Sequence, residues 1–187
     1  MKSKRNTLMT ALVLAFSLVL AACSPGQSSS SEGASGTKGD ILVAYFSYTG
    51  NTEEVAGQIA DLTDGTLGEI QRVEEYGNLQ EEAEAEILEG ARPEITFSVD
   101  NVEDYDTVFV GYPIWWNEAP AMIATFLESY NFAGKTIIPF CTSGSDSIDH
   151  SLHIFGEICP DATIAEGLTA NNEDDIEPWL QELGMIQ

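Results

Sequence analysis

The chain has 187 residues, with 31 acids against seven lysines and arginines and a formal net charge of −24. A field of that sign repels nucleic acid and anionic lipid headgroups, and it favours encounter with basic partners. Two short segments at the start differ sharply in composition from the rest, which leaves about 148 residues, enough for one domain with a real core.

Residues 1–23 read as a secretion signal. Lys2, Lys4 and Arg5 form a basic start, "LMTALVLAFSLVLAA" an apolar middle, and "LAAC" an end at Cys23. So short a run with small residues at its end is a cleavable signal rather than a membrane anchor. Leu20-Ala21-Ala22-Cys23 resembles the bacterial lipobox, in which the cysteine becomes the new N-terminus and carries lipid. Each methylene a lipid buries contributes roughly 0.8 kcal/mol to anchoring. The expected location is therefore extracytoplasmic, with the lipid as the only tie to the membrane. Residues 24–39, "SPGQSSSSEGASGTKG", have almost no apolar content and read as a flexible tether. Beyond Cys23 only Lys38, Arg72, Arg92 and Lys135 oppose all 31 acids, a formal charge of −27.

From residue 40 onward the pattern alternates. "ILVAYF" (41–46) is an apolar run of strand length, and 52–63 spaces Val55, Ile59 and Leu62 on one helical face. Residues 66–73 alternate like an edge strand, and 78–91 are helical and acidic. A buried-type strand is predicted at 106–113, an amphipathic helix at 119–130 and a strand at 135–141. A helix at 147–158 has Ile148, Leu152, Phe155 and Ile158 in phase. A strand at 162–168 and a helix at 172–185 close the chain. Apolar strands alternating with helices predict a three-layer α/β domain over 40–187, with a five-stranded parallel sheet covered on both faces. Pro139 removes a ladder donor, so pairing should be irregular there. Cys141 should lie at the carboxyl end of its strand, and Cys159 should follow a helix that runs some 18 Å back to the other edge of the sheet. That separation is too great for a disulfide, whose Cα atoms lie within about 7 Å.

Ligands of such sheets sit beyond the carboxyl ends of the strands. Three loops meet there. "SYTGNT" offers Ser47, Thr49, Asn51 and Thr52 as donors, Gly50 as a tight turn, and the N–H groups of a helix start, together suited to a phosphate. The same residue types are the preferred N-caps, so on their own they fit a capped helix equally well. No P-loop lysine and no dinucleotide glycine fingerprint is present, which disfavours a nucleotide triphosphatase and a dinucleotide fold. A terminal monophosphate held by neutral donors fits best. The second loop, "GYPIWWNEAP", places Trp115 and Trp116 where a flat heterocycle could stack, though two tryptophans can also pack on their own protein. Asn117 tolerates a positive φ. The third loop, "CTSGSDS", is small and polar. His150 and His153 lie three apart beside Asp146 and Asp149, but a metal needs about four well-aimed ligands, and no full set is evident.

Taken in order, "YFSYTGNT", "GYPIWW" with "AP" and "TFLE", "F.GKTI.PF", "CTSGS" and "ATIAEGL" resemble the flavodoxin family, in its short flavodoxin-like lineage, across nearly all of 40–187. The resemblance implies strand order 2-1-3-4-5 and one non-covalent FMN. It implies that Ser47, Thr49, Gly50, Asn51 and Thr52 hold the ribityl phosphate, with Tyr48 also among the cofactor-binding residues. Pro113, Ile114, Trp115, Trp116 and Asn117 would flank the isoalloxazine, and Thr142, Ser143 and Gly144 its pyrimidine side. Well-known flavodoxins stack a tyrosine from the third loop on the outer flavin face. "CTSGSDS" has no aromatic, so that face is open or covered by Tyr76 or Tyr48. The leading expectation is an FMN-binding electron carrier with a basic redox protein partner, no metal and no catalytic side chain. The acidic surface would lower the potential of its flavin. The alternatives are an FMN-dependent NAD(P)H:quinone-type oxidoreductase, and a binding module that has lost FMN.

Overall fold

The computed structural model describes residues 40–187. The expected signal (1–23), its lipid-bearing Cys23 and the tether (24–39) lie outside the described residues.

The apolar run that opens the domain becomes β1 (Ile41–Tyr45), all five residues buried. It pairs in parallel with β2 (Thr66–Arg72) on one side and β4 (Thr107–Pro113) on the other. β4 pairs in turn with β5 (Thr136–Thr142), whose far side carries β6 (Thr163–Ile164) and β7 (Leu168–Thr169). The parallel core therefore follows the expected order, with β1 flanked by β2 and β4.

Two features differ from the five-stranded expectation. A short β3 (Ile95–Phe97) adds an antiparallel edge beyond β2. The last strand is split in two, and the cause is Pro139. Ile137 and Cys141 accept from Ala165 N–H and Ala170 N–H, at 2.9 and 2.7 Å, so the residue midway between them faces the same neighbour. That residue is Pro139, which has no N–H to give. Ile137 pairs with Ile164, and three residues later Phe140 pairs with Leu168, so the last strand inserts one extra residue at the break.

Helices cover both faces. α1 (Asn51–Thr63) and α5 (Ile176–Glu182) bury Val55, Ile59, Trp179 and Leu180 against Ile41, Val43, Phe109 and Ile138. α3 (Ala121–Ser129) and α4 (His153–Ile158) bury Met122, Ile123, Phe126 and Phe155 against Leu42, Val108, Val110 and Ile137. α2 (Leu79–Glu89) is the acidic helix and buries only Ala83. At roughly 1.5–3 kcal/mol per fully buried large side chain, these two layers dominate the stability.

The helix expected at 147–158 is broken. A 3-10 turn spans Ile148–His150, and α4 begins only at His153. Ser151 is the reason: its hydroxyl donates to Ile148 C=O at 2.9 Å and lies 2.9 Å from the buried Tyr112 hydroxyl. Tying the serine to the sheet competes with continuing the helix. The closing helix similarly starts with a 3-10 turn, Glu173–Asp175, capped by Asn172.

Candidate functional site

β1, β4, β5 and β7 end on one edge of the sheet, where a cleft of about 550 Å3 opens. Its walls are Thr49, Asn51, Glu54 and Val55 from the first loop and α1, and Pro113 and Ile114 from the end of β4. Thr142, Ser143 and Gly144 follow β5, and Ala170, Asn171 and Glu173 follow β7. Seven of the fourteen expected cofactor-binding residues thus meet in one cleft.

The first loop does not cap its helix with a side chain. The N-cap is Gly50, at φ 93, a left-handed conformation that glycine adopts without a steric penalty. Ser47 Oγ turns back to accept from Gly50 N–H at 3.1 Å. The first intrahelical bond runs from Glu54 N–H to Gly50 C=O at 3.0 Å, so α1 starts with the N–H groups of Asn51, Thr52 and Glu53 uncapped. They form the positive end of a 13-residue helix, and Thr49 and Asn51 stand exposed beside them. The capped-helix alternative therefore does not describe this loop.

Thr52 has a different job. It is buried, and its hydroxyl lies 2.8 Å from the Thr142 hydroxyl, which ties the first loop to the third. In the third loop, Ser143 Oγ accepts from Asp146 N–H at 2.7 Å and Ser145 N–H at 3.2 Å. Ser143 N–H donates to Asn171 Oδ1 at 2.9 Å. Asn171 was not anticipated from the sequence, where "NNEDD" reads as the start of the last helix.

The second loop is fixed by Ile114 N–H donating to Thr142 C=O at 2.9 Å. Trp115 and Glu118 then exchange both backbone hydrogen bonds, at 3.0 and 2.9 Å. Trp116 (φ 50) and Asn117 (φ 65) form the two-residue turn between them. Two central residues at positive φ are the mark of a type I′ turn, for which asparagine is suited and tryptophan is not. Holding a bulky residue there costs of the order of 1–3 kcal/mol.

The two tryptophans part company. Trp115 is half-buried and sits edge-on to Phe46, Tyr48 and Tyr76, with ring centroids 5.5, 6.0 and 5.9 Å away. Trp116 is 42% exposed. Ser47 and Tyr48 line a separate recess with Phe46, Arg72 and Tyr76. Tyr76 donates its hydroxyl to Glu86 at 2.9 Å and carries the Arg72 guanidinium over its ring. Both tyrosines therefore pack around Trp115 and not beside the third loop.

No base lines the cleft among the described residues, and two acids, Glu54 and Glu173, do. The described bases are occupied elsewhere: Arg72 pairs with Glu86, Arg92 with Glu128, and Lys135 donates to the carbonyls of Glu103 and Tyr105. Any anion bound here is held by neutral donors and the helix dipole.

Cys141 and Cys159 are free and buried, and burial pushes the Cys141 thiol up to about 12. Neither thiol is poised as a nucleophile. No cluster of three or more potential metal ligands occurs among the described residues. His150 and His153 instead reach the second loop, at Asn117 and Glu118.

The family model for flavodoxin matches residues 40–183. No curated protein matches the chain. Among solved structures, a proposed flavoprotein from Bacteroides eggerthii is 36% identical, with a TM-score of 0.72, over 78% of this chain and 98% of its own. A second, from Bacteroides uniformis, is also 36% identical, with a TM-score of 0.70, over 76% and 98%. A flavoprotein from Lactobacillus acidophilus, solved in complex with FMN, shares the fold at 20% identity and a TM-score of 0.64, over 75% and 98%. The match over 144 residues of the domain, joined to the sheet order and the cleft at its strand ends, places this chain in the flavodoxin family.

Proposed function

We propose that this protein is an FMN-binding electron carrier, lipid-anchored through Cys23 outside the cytoplasmic membrane. The observation that carries the reading is the uncapped start of α1, which opens on a cleft with no base among the described residues of its walls. Backbone N–H groups at a helix start suit a terminal phosphate, and their positive end compensates for the absent lysine or arginine. The FMN held by the Lactobacillus acidophilus neighbour, which shares this fold, supports the choice of ligand.

Thr49, Asn51 and the N–H groups of residues 51–53 would hold the phosphate, with Gly50 letting the chain turn into the helix. Thr52 and Thr142 brace the two loops on either side. Pro113, Ile114 and the Trp115–Asn117 segment would flank the ring, with the exposed Trp116 free to stack. Ser143 and Gly144, backed by Asn171, would shape its polar edge. When bound, FMN supplies reversible electron transfer, and the protein contributes position, exclusion of water and charge. The acidic surface disfavours added negative charge and steers a basic protein partner towards the domain.

The test is direct. The chain from residue 24 onward should purify yellow, or turn yellow with added FMN, and denaturation should release FMN. A colourless protein that ignores added FMN would sink the reading and leave a binding module of other specificity.

One observation favours a second reading. The third loop carries no aromatic, Tyr48 and Tyr76 pack on Trp115, and no aromatic lines the cleft among the described residues, which leaves the outer flavin face accessible. An accessible face admits an FMN-dependent NAD(P)H:quinone-type oxidoreductase. Stopped-flow mixing of the FMN-loaded protein with NADPH separates the two: bleaching within milliseconds supports the enzyme, and bleaching only over minutes supports the carrier.

A further inference from the structure

A bulky side chain at positive φ persists only when its surroundings over-determine it. Trp116 is such a residue, and two histidines from the segment after β5 supply the surroundings. His150 Nδ1 lies 3.1 Å from Asn117 Oδ1. His153 Nε2 lies 2.8 Å from Glu118 Oε2, at the closing residue of the turn. The opposite ring nitrogen, Nδ1, lies 3.5 Å from Glu157 Oε1 on its own helix. A neutral imidazole has one N–H, whereas an imidazolium has two. Carboxylates on both ring nitrogens are satisfied together only by the doubly protonated ring.

We propose that His153, acting through Glu118, is a positioning residue that holds the Trp116–Asn117 turn in its left-handed form, so that protonation of this imidazole organises the turn for the flavin. The proposal rests on the FMN reading for its consequence and on the turn's geometry for its cause.

Other charges facing His153 come from α2 and the segment after it. Across a groove of about 620 Å3, which Trp116 also lines, stand Glu84, Glu86 and Arg92. Glu86 is paired with Arg72 and Arg92 with Glu128. The Glu118 hydrogen bond, the largest influence, raises the His153 pKa above its usual 6.5. The sign follows: the clamp is complete below the unfolded value and is lost as pH rises through the higher folded value.

The test compares the full-length chain, solubilised in detergent, with its His153→Gln and Glu118→Gln variants. FMN dissociation constants are measured from pH 5.5 to 9. The phosphate of FMN titrates near pH 6, as phosphate monoesters do, so the ratio of variant to wild type is the readout. Each variant should bind about five-fold more weakly at the acid end, the upper range for a solvent-exposed ion pair, and equally at the alkaline end. A ratio that stays constant with pH overturns the proposal, even if binding is weakened throughout. A second readout needs no cofactor. In FMN-free protein, the backbone amide resonances of Trp116 and Glu118 should show a titration that is lost in His153→Gln and retained in His150→Gln. Absence of that titration in the wild type also overturns the clamp. If wild type binds no FMN at any pH, the FMN reading falls and the amide titration alone decides the clamp.

Discussion

Trp116 concentrates the tension between stability and binding. Its backbone sits where asparagine is at ease and tryptophan is strained, while its side chain is the exposed ring of the pair. Trp116→Asn should therefore raise the stability of the apo domain by about 0.5–1 kcal/mol, a fraction of the strain such positions store. The same change should weaken FMN binding through loss of the stacking surface, worth roughly 0.5–1.5 kcal/mol. Urea denaturation and an FMN titration on the same preparation check both halves, and a variant that loses stability refutes the strain argument. Glu54 makes the opposite case. It lines the cleft beside the uncapped helix start, where its charge opposes a phosphate while favouring the helix dipole. Glu54→Gln should tighten FMN about two- to five-fold, the scale of a single exposed charge, with a small loss of helix stability. Asn117 was legible from the sequence as a residue fit for positive φ, but the left-handed tryptophan before it was not. No local preference places tryptophan there; contacts made more than thirty residues later hold it.

At the scale of elements, β1, α1, β4, α3 and β5 lie within two residues of where period and apolar content put them. Their boundaries follow from local signals: a fully apolar run, a glycine turn, a helical stripe. The misplaced boundaries come from long-range bonds. β3 is three residues that form a strand only because β2 offers a free edge. The break in the helix after β5 depends on Ser151 meeting Tyr112 across 39 residues. The site shows the same division. Thr49 and Thr52 look equivalent in "SYTGNT", yet Thr49 is exposed in the cleft and Thr52 is a buried tie to Thr142. Thr52→Val should cost about 1 kcal/mol of stability, the typical value of one hydrogen bond, and loosen the third loop with it. Thr49→Val should leave the urea midpoint unchanged and weaken FMN several-fold, as expected for one lost donor. Equal effects of the two changes on both measurements would show that the division of labour is wrong.

For the whole molecule, charge decides how the cleft can work. The chain beyond Cys23 carries four bases against 31 acids, and the three bases described are all engaged away from the cleft. Most carboxylates have no cation nearby, so the compact state is under self-repulsion that salt relieves. Most phosphate sites use lysine or arginine, and salt weakens them by screening that attraction. Here the local donors are neutral dipoles acting at contact distance, which salt screens little. The long-range field from the acids is repulsive and is screened within a Debye length of about 8–10 Å at physiological ionic strength. The two contributions therefore respond differently, and the net sign is fixed by the repulsive one. Raising sodium chloride from about 10 mM to 150 mM should tighten FMN binding by a few-fold and raise the melting temperature of the apo protein and, on the proposal of a basic redox partner, slow association with it. Isothermal titration at the two salt concentrations reads the first, a thermal melt the second and stopped flow the third. FMN binding that weakens with salt would mean that a cation reaches the phosphate after all.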